Sequence, residues 1–404
     1  MEKYNIYDYG AIGDGKTINT SIIQNVIDSC SVGDIVIIPK GIYVTGALYL
    51  HSDIEIVLNE GAVLKGSDNI SDYPPFVYRF EGIEQSCYSS LINMIDGEHN
   101  NVIISGTGII DGSGIELYSK EVQTNDIKRG RVICIRNTNN CVIKDITICN
   151  SVCWTLHMIY CKKVVINNIQ IYSKVSFDQL QSNDKLRNGD GIVIDSCENV
   201  IIDNCVISSQ DDCVSIKSGK NEEGRIINRA SNTISVLRCI FLDGAGVSVG
   251  SEMSGGVYDI IIQNCLFSNV LSILSIKTNV YRGGYIRDIK LENCKLININ
   301  KNLKYKADYK AAIYIDEFYK FEQESKSNGI NQSYPKVENI TLHNLLIINC
   351  IGKAMYINGL AESPIKSLLL DSIIAYSKGE IEIYNTTFTA KEFYVNGVFV
   401  PPVY

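Results

Sequence analysis

Between Ser209 and Val214 the chain reads SQDDCV, which sets Asp211 and Asp212 side by side. Asp190 stands 21 residues before Asp211, between two glycines in NGDGIVIDSCENV. Carboxylates held within a few ångströms oppose one another's ionisation, so such a group retains at least one proton near neutral pH and titrates as a unit. A protonated carboxyl beside an ionised one is the equipment of glycoside hydrolysis. One acid protonates the leaving oxygen, and in an inverting reaction a second carboxylate activates water across a gap of roughly 6.5–9.5 Å. Aspartate beside glycine is also ordinary turn composition. What decides between the two readings is whether the chain brings all three residues to one face.

The elements that would do so recur along the sequence. CVIKDITI from Cys141, VVINNIQI from Val164, VIIDNCVI from Val200, ISVLRCIF from Ile234, IIIQNCLF from Ile260, IKLENCKL from Ile289 and ITLHNLLI from Ile340 align beneath one another. Their starts are 23, 36, 34, 26 and 29 residues apart before a longer last step, the signature of a solenoid with loops of variable length. The unit is β-branched and strand-like with almost no helical period, and the whole chain has only seven prolines to interrupt a ladder. These features predict an all-β fold, a right-handed parallel β-helix with coils stacked about 4.8 Å apart. Asp190 then lies one coil below Asp211 and Asp212. The repeated Asn fits a turn whose side chain bonds the next coil. One exception is TINTSIIQNVIDSC, where Ile22, Ile23, Val26 and Ile27 fall at helical spacing behind Asn19 or Thr20 as N-cap, predicting a capping helix. No linker is visible, so residues 1–404 read as one domain, with 1–65 forming the cap and first coils.

Bulk properties exclude several functions. A net charge of -8 and the lack of a basic stripe argue against nucleic acid and anionic membrane as partners. No stretch approaches the length of a membrane span, and MEKYNIYDYG lacks the basic and apolar regions of an export signal, so the expectation is a soluble cytoplasmic protein. The fourteen cysteines contain no Cys-x-x-Cys pair and there are only four histidines. Reduced thiols serving as small apolar fillers are expected, with no metal and no cofactor.

NGDG, QDDCVSIKSG, GAGVSVGSEMSGG and SIKTNVYRGG, in this order, resemble the family 28 glycoside hydrolases, the polygalacturonases and their relatives, particularly the bacterial branch. The resemblance extends from DYGAIGDGKTINT at Asp8 through NSVCWTLHMIYC at Asn150 to AAIYIDEFY at Ala311. It implies the same β-helix and hydrolysis with inversion, Asp211 being the general acid and Asp190 and Asp212 holding the attacking water. Asn188 is retained from the family's Asn-Thr-Asp motif, with Gly189 in place of Thr. Lys277 matches a lysine that contacts a substrate carboxylate. Trp154 and His157 match a stretch lining the subsites, though a core aromatic and a satisfied histidine fit them as well. Glu252 is a candidate for sugar hydroxyls and Lys217 for an acidic sugar. Two family residues are replaced: Ala245 stands where the family has histidine and Ser275 where it has arginine. Arg282 and Arg287 are the candidate substitutes. The expectation is therefore an exo-acting hydrolase of acidic, pectin-derived oligosaccharides. A hydrolase of rhamnogalacturonan, a polysaccharide lyase and a non-catalytic sugar-binding β-helix are the alternatives.

Overall fold

The structure is a computed structural model that describes residues 1–95, 97–113, 126–151, 153–173, 188–299, 311–320 and 332–401. The repeat alignment has a conformational cause. In all seven segments the fifth residue (Asp145, Asn168, Asn204, Arg238, Asn264, Asn293 and Asn344) is left-handed, with φ between 51° and 64°. Asn and Asp tolerate that region better than other residues with a Cβ, which explains why six of the seven positions carry one of them. Each such residue turns the chain between two strands, and at three of them an Asn amide reaches the equivalent residue one coil away. Asn168 Nδ2 donates to Asp145 Oδ1 at 2.8 Å, Asn204 to Asn168 at 3.2 Å and Asn344 to Asn293 at 2.7 Å. The sixth residue (Ile146, Ile169, Cys205, Cys239, Cys265, Cys294 and Leu345) points inward and is buried. The cysteines are accordingly free thiols, twelve of the fourteen buried, as expected of fillers in the coil interior.

The backbone groups into two compact units, residues 1–80, 84–193 and 200–211, and residues 81–83, 194–199 and 212–404. Both carry the parallel coils of a right-handed β-helix. In the first, strands Leu48–Tyr49, Ile92–Met94, Ile133–Arg136 and Leu156–Ile159 pair in parallel and place Tyr49, Asn93, Cys134 and His157 in one row. Helix Thr20–Ser29 buries Ile23, Val26 and Ile27 against the early strands. Asn19 occupies the N-cap position without capping through its side chain; that amide accepts from Ile12 N and donates to Thr17 O, each at 2.7 Å.

In the second unit, strands Val214–Lys217, Val247–Gly250, Leu274–Lys277, Ala311–Asp316 and the end of Lys336–Asn358 run side by side. Ser215, Ser248, Ser275, Tyr314 and Tyr356 share one row, and Gly250, Lys277, Asp316 and Asn358 another. Aromatic stacking between coils reinforces the ladder, with Phe241 and Phe267 centroids 4.7 Å apart.

Candidate active site

Backbone hydrogen bonds between coils place Asp211 against Asp190. Gly189 O accepts from Gln210 N at 3.1 Å and Asp211 N at 3.3 Å, and also from Ser173 Oγ at 2.8 Å. Asp190 is held from below, its carbonyl accepting from Thr155 N and Oγ1. Ser209 Oγ closes the turn by donating to Asp211 O at 2.8 Å. One oxygen from each of Asp190, Asp211 and Asp212 lies within 4.8 Å of the others. Asp190 is 3 % exposed and Asp212 2 %, whereas Asp211 is partly open to solvent. The one-coil spacing thus brings an oxygen of each carboxylate close to the other two.

Asp212 is compensated by a buried cation. Lys277 Nζ lies 2.7 Å from its Oδ2, with both side chains almost fully buried. Lys277 was expected to reach a substrate carboxylate; here the ammonium is bonded to Asp212.

Asn188 is left-handed and accepts from Arg129 Nη2 at 2.9 Å. Arg129 belongs to a group of buried arginines, with Arg79 and Arg131, that sequence reasoning did not single out. Arg131 spans the backbone, donating to Arg79 O at 2.6 Å and to Arg129 O at 3.3 Å. Its guanidinium is caged by Tyr78, Phe80 and Trp154, 5.1–5.4 Å from their ring centres. The signal available was the run KRGRV, but Asn188 is 59 residues from Arg129 and no local pattern connects them.

Trp154 and His157 go into this packing. Trp154 stacks on Phe80, and His157 meets Trp154 and Tyr78 edge to face at 4.7 and 5.3 Å. With both rings buried in the cluster, their geometry is that of core aromatics, and neither presents a face for a sugar.

Three further candidates form one network in the second unit. Lys217 Nζ lies 3.1 Å from Glu252 Oε2, and Ser251 Oγ donates to the same oxygen at 3.2 Å. Arg282 donates through Nε to Ser251 O at 2.7 Å and through Nη1 to Asn221 Oδ1 at 2.6 Å. Burial alone would push the Glu252 carboxyl up, yet Lys217 beside it, with Arg282 and Lys220, brings it down to about 2. Glu252 is therefore a buried anion neutralised by cations rather than an exposed turn carboxylate. Arg287, in contrast, is a surface group paired with Asp288 and laid on Tyr258, 4.7 Å from its ring centre.

Ala245 and Ser275 are both fully buried. Gly246, next to Ala245, is left-handed at φ 58°, and its carbonyl accepts from Cys213 N and Val214 N, directly after the acid pair. A Cβ there would come within 2.2 Å of Ser272 O, so only glycine fits.

With that geometry in place, comparison with known proteins gives a consistent result. A probable polygalacturonase of Vitis vinifera is 28% identical over 98% of this chain and 79% of its own length. An exo-poly-alpha-D-galacturonosidase of Dickeya chrysanthemi is also 28% identical, over 74% of this chain and 55% of its own length. Among solved structures, a hyperthermoactive exopolygalacturonase from Thermotoga maritima superposes with a TM-score of 0.81 at 26% identity, covering 98% of this chain and 92% of that one. Residues 37–392 match the family described as glycosyl hydrolases family 28, and the chain belongs to that family.

Proposed function

We propose that this chain hydrolyses galacturonate-containing oligosaccharides at the Asp190, Asp211 and Asp212 cluster, with inversion and by exo-action. The observation that carries the reading is the arrangement of the three carboxylates: two buried, one partly open, all within 4.8 Å. In this reading Asp211, nearest solvent, delivers a proton to the glycosidic oxygen. Asp190 and Asp212 together hold a water and take its proton as it attacks the anomeric carbon. Lys277 lies 2.7 Å from Asp212 and compensates the charge there.

An anionic substrate is supported by Arg129, whose guanidinium is bonded to Asn188 two residues before Asp190. Arg131 positions it by fixing its backbone. Lys217, Glu252 and Arg282 are assigned a supporting role as a buried charged network. Exo-action is favoured by the Dickeya and Thermotoga relatives, an exo-poly-alpha-D-galacturonosidase and an exopolygalacturonase.

The test follows reducing ends and unsaturated uronide together on oligogalacturonides, rhamnogalacturonan fragments and neutral oligosaccharides, with and without chelator. Saturated, β-configured first products, insensitive to chelator, are expected. Unsaturated products, or activity abolished by chelation, would move the protein to lyase chemistry, and binding without any product would make it a sugar-binding protein.

A further inference from the structure

Coils of the second unit turn at another row of left-handed residues besides the fifth place of each repeat. Asn269, Asn298, Asn349 and Asn396 have φ of 60°, 65°, 54° and 51°, and all four side chains are exposed. Their coils follow one another. Val270 pairs with Ile299, Asn298 Oδ1 accepts from Asn349 Nδ2 at 3.1 Å, Cys350 pairs with Ser377, and Asn396 Oδ1 accepts from Ser377 N at 3.0 Å. The row leads back towards Asp212. Cys213 Sγ donates to Asp243 O at 2.7 Å, and Asp243 Oδ1 accepts from Asn269 Nδ2 at 2.9 Å. It therefore begins two coils, about 10 Å, from Asp212 and runs on for about 19 Å at the ordinary strand spacing.

These corners line a groove of about 690 Å³, together with Ile351, Tyr376 and Lys378. The ladder of asparagine amides is interrupted inside it. Asn269 and Asn298 stand on neighbouring coils without bonding each other. Among the described residues Asn269 Oδ1, Asn298 Nδ2 and Asn349 Oδ1 therefore have no partner. Tyr376 is 51 % exposed, and its hydroxyl bonds nothing among the described residues. Lys378 is exposed and enters no ion pair or cation–π contact among them. Asn396 differs, since both ends of its amide are committed to the Ser377 backbone, and it closes the row.

Open donors and acceptors repeated from coil to coil suit a ligand that is itself repetitive and hydroxylated, whose hydroxyls replace the water on the amides. An exposed tyrosine offers the apolar face of a sugar ring a flat surface and its hydroxyls a partner. One uncommitted ammonium suits a carboxylate. A single cation is too little for a nucleic acid, which is held by many phosphate contacts and by stacked bases. We propose that this groove is a non-catalytic anchoring site for an acidic oligosaccharide chain, holding sugar units remote from the bond that is cleaved. The choice of galacturonate as its ligand rests on the hydrolysis proposed above; the groove and its open groups do not.

The test compares the full chain with its Tyr376→Ala, Lys378→Gln double variant, in which both replaced side chains are exposed. The substrates are a long oligogalacturonate and digalacturonate, which is too short to occupy the acid cluster and the groove together. In the variant, KM for the long chain should rise about tenfold more than KM for the dimer. Equal changes for both, or none, would overturn the inference and leave the hydrolase reading standing. Lys366→Gln removes the same charge from an exposed position outside the groove, and a loss as large there would reduce the effect to general attraction and overturn the inference too. Binding measured in the Asp211→Asn background needs no turnover. There the long oligogalacturonate should bind more tightly than a neutral oligosaccharide of equal length and lose about tenfold when Tyr376 and Lys378 are replaced. If the wild-type chain cuts no galacturonate, the hydrolase reading fails and this binding comparison alone decides the groove, an unchanged affinity overturning it.

Discussion

Replacing Lys277 with methionine removes the ammonium 2.7 Å from Asp212 while keeping a stem of similar length. At an effective dielectric of about 20 the gross attraction at that distance is about 6 kcal/mol. Part of it repays the cost of burying two charges, so breaking such a pair by losing one partner costs about 3–5 kcal/mol. Urea unfolding of wild type, Lys277→Met, Asp212→Asn and the double variant measures it. The double variant should recover most of the stability lost in Lys277→Met while remaining inactive. Single losses that add to within about 0.5 kcal/mol in the double variant would show that the two groups are not the coupled buried pair described.

Other consequences concern groups away from this pair. Burial raises the Glu317 carboxyl from 4.5 to about 8, despite the bond from Leu360 N at 2.7 Å that favours its anion. Because the folded state holds this proton where the unfolded chain releases it, stability is full below about 4.5 and falls as pH rises through about 8. The total is roughly 5 kcal/mol at most. Glu317→Gln should remove that decline in a pH series of unfolding curves; an unchanged slope would rule out Glu317 as its source. Arg129→Ala should raise KM for galacturonate-containing oligomers about 10–100-fold, the worth of one charge-assisted contact, with kcat less affected. Steady-state kinetics on a reduced, uncharged analogue should show no such change, and an equal effect on both would make Arg129 a purely structural residue.

What could be read from the sequence was what repeats locally. The left-handed residue at the fifth place of each segment and the filler at the sixth are fixed by backbone sterics and coil volume, so Asn204 with Cys205 or Asn293 with Cys294 disclose the coil before any contact is known. Given the coil, Asp190 had to fall near Asp211. Contacts that depend on side chains from distant coils were not legible. Asp212 meets Lys277 across 65 residues, and Asn188 meets Arg129 across 59. Trp154 and His157 carried a motif, yet whether such rings face a sugar or a neighbouring Phe80 depends on the packing of strand Pro75–Phe80, which has no repeat pattern.

The most direct measurement is the hydrolysis rate of Asp211→Asn beside wild type, on whichever panel oligosaccharide wild type cleaves fastest, with binding of the same ligand measured in parallel. Asp211 is the partly exposed member of the cluster and the assigned proton donor, so kcat should fall about 10²–10⁴-fold while affinity stays within a few-fold. A variant retaining wild-type kcat would contradict the assignment of the chemistry to this cluster.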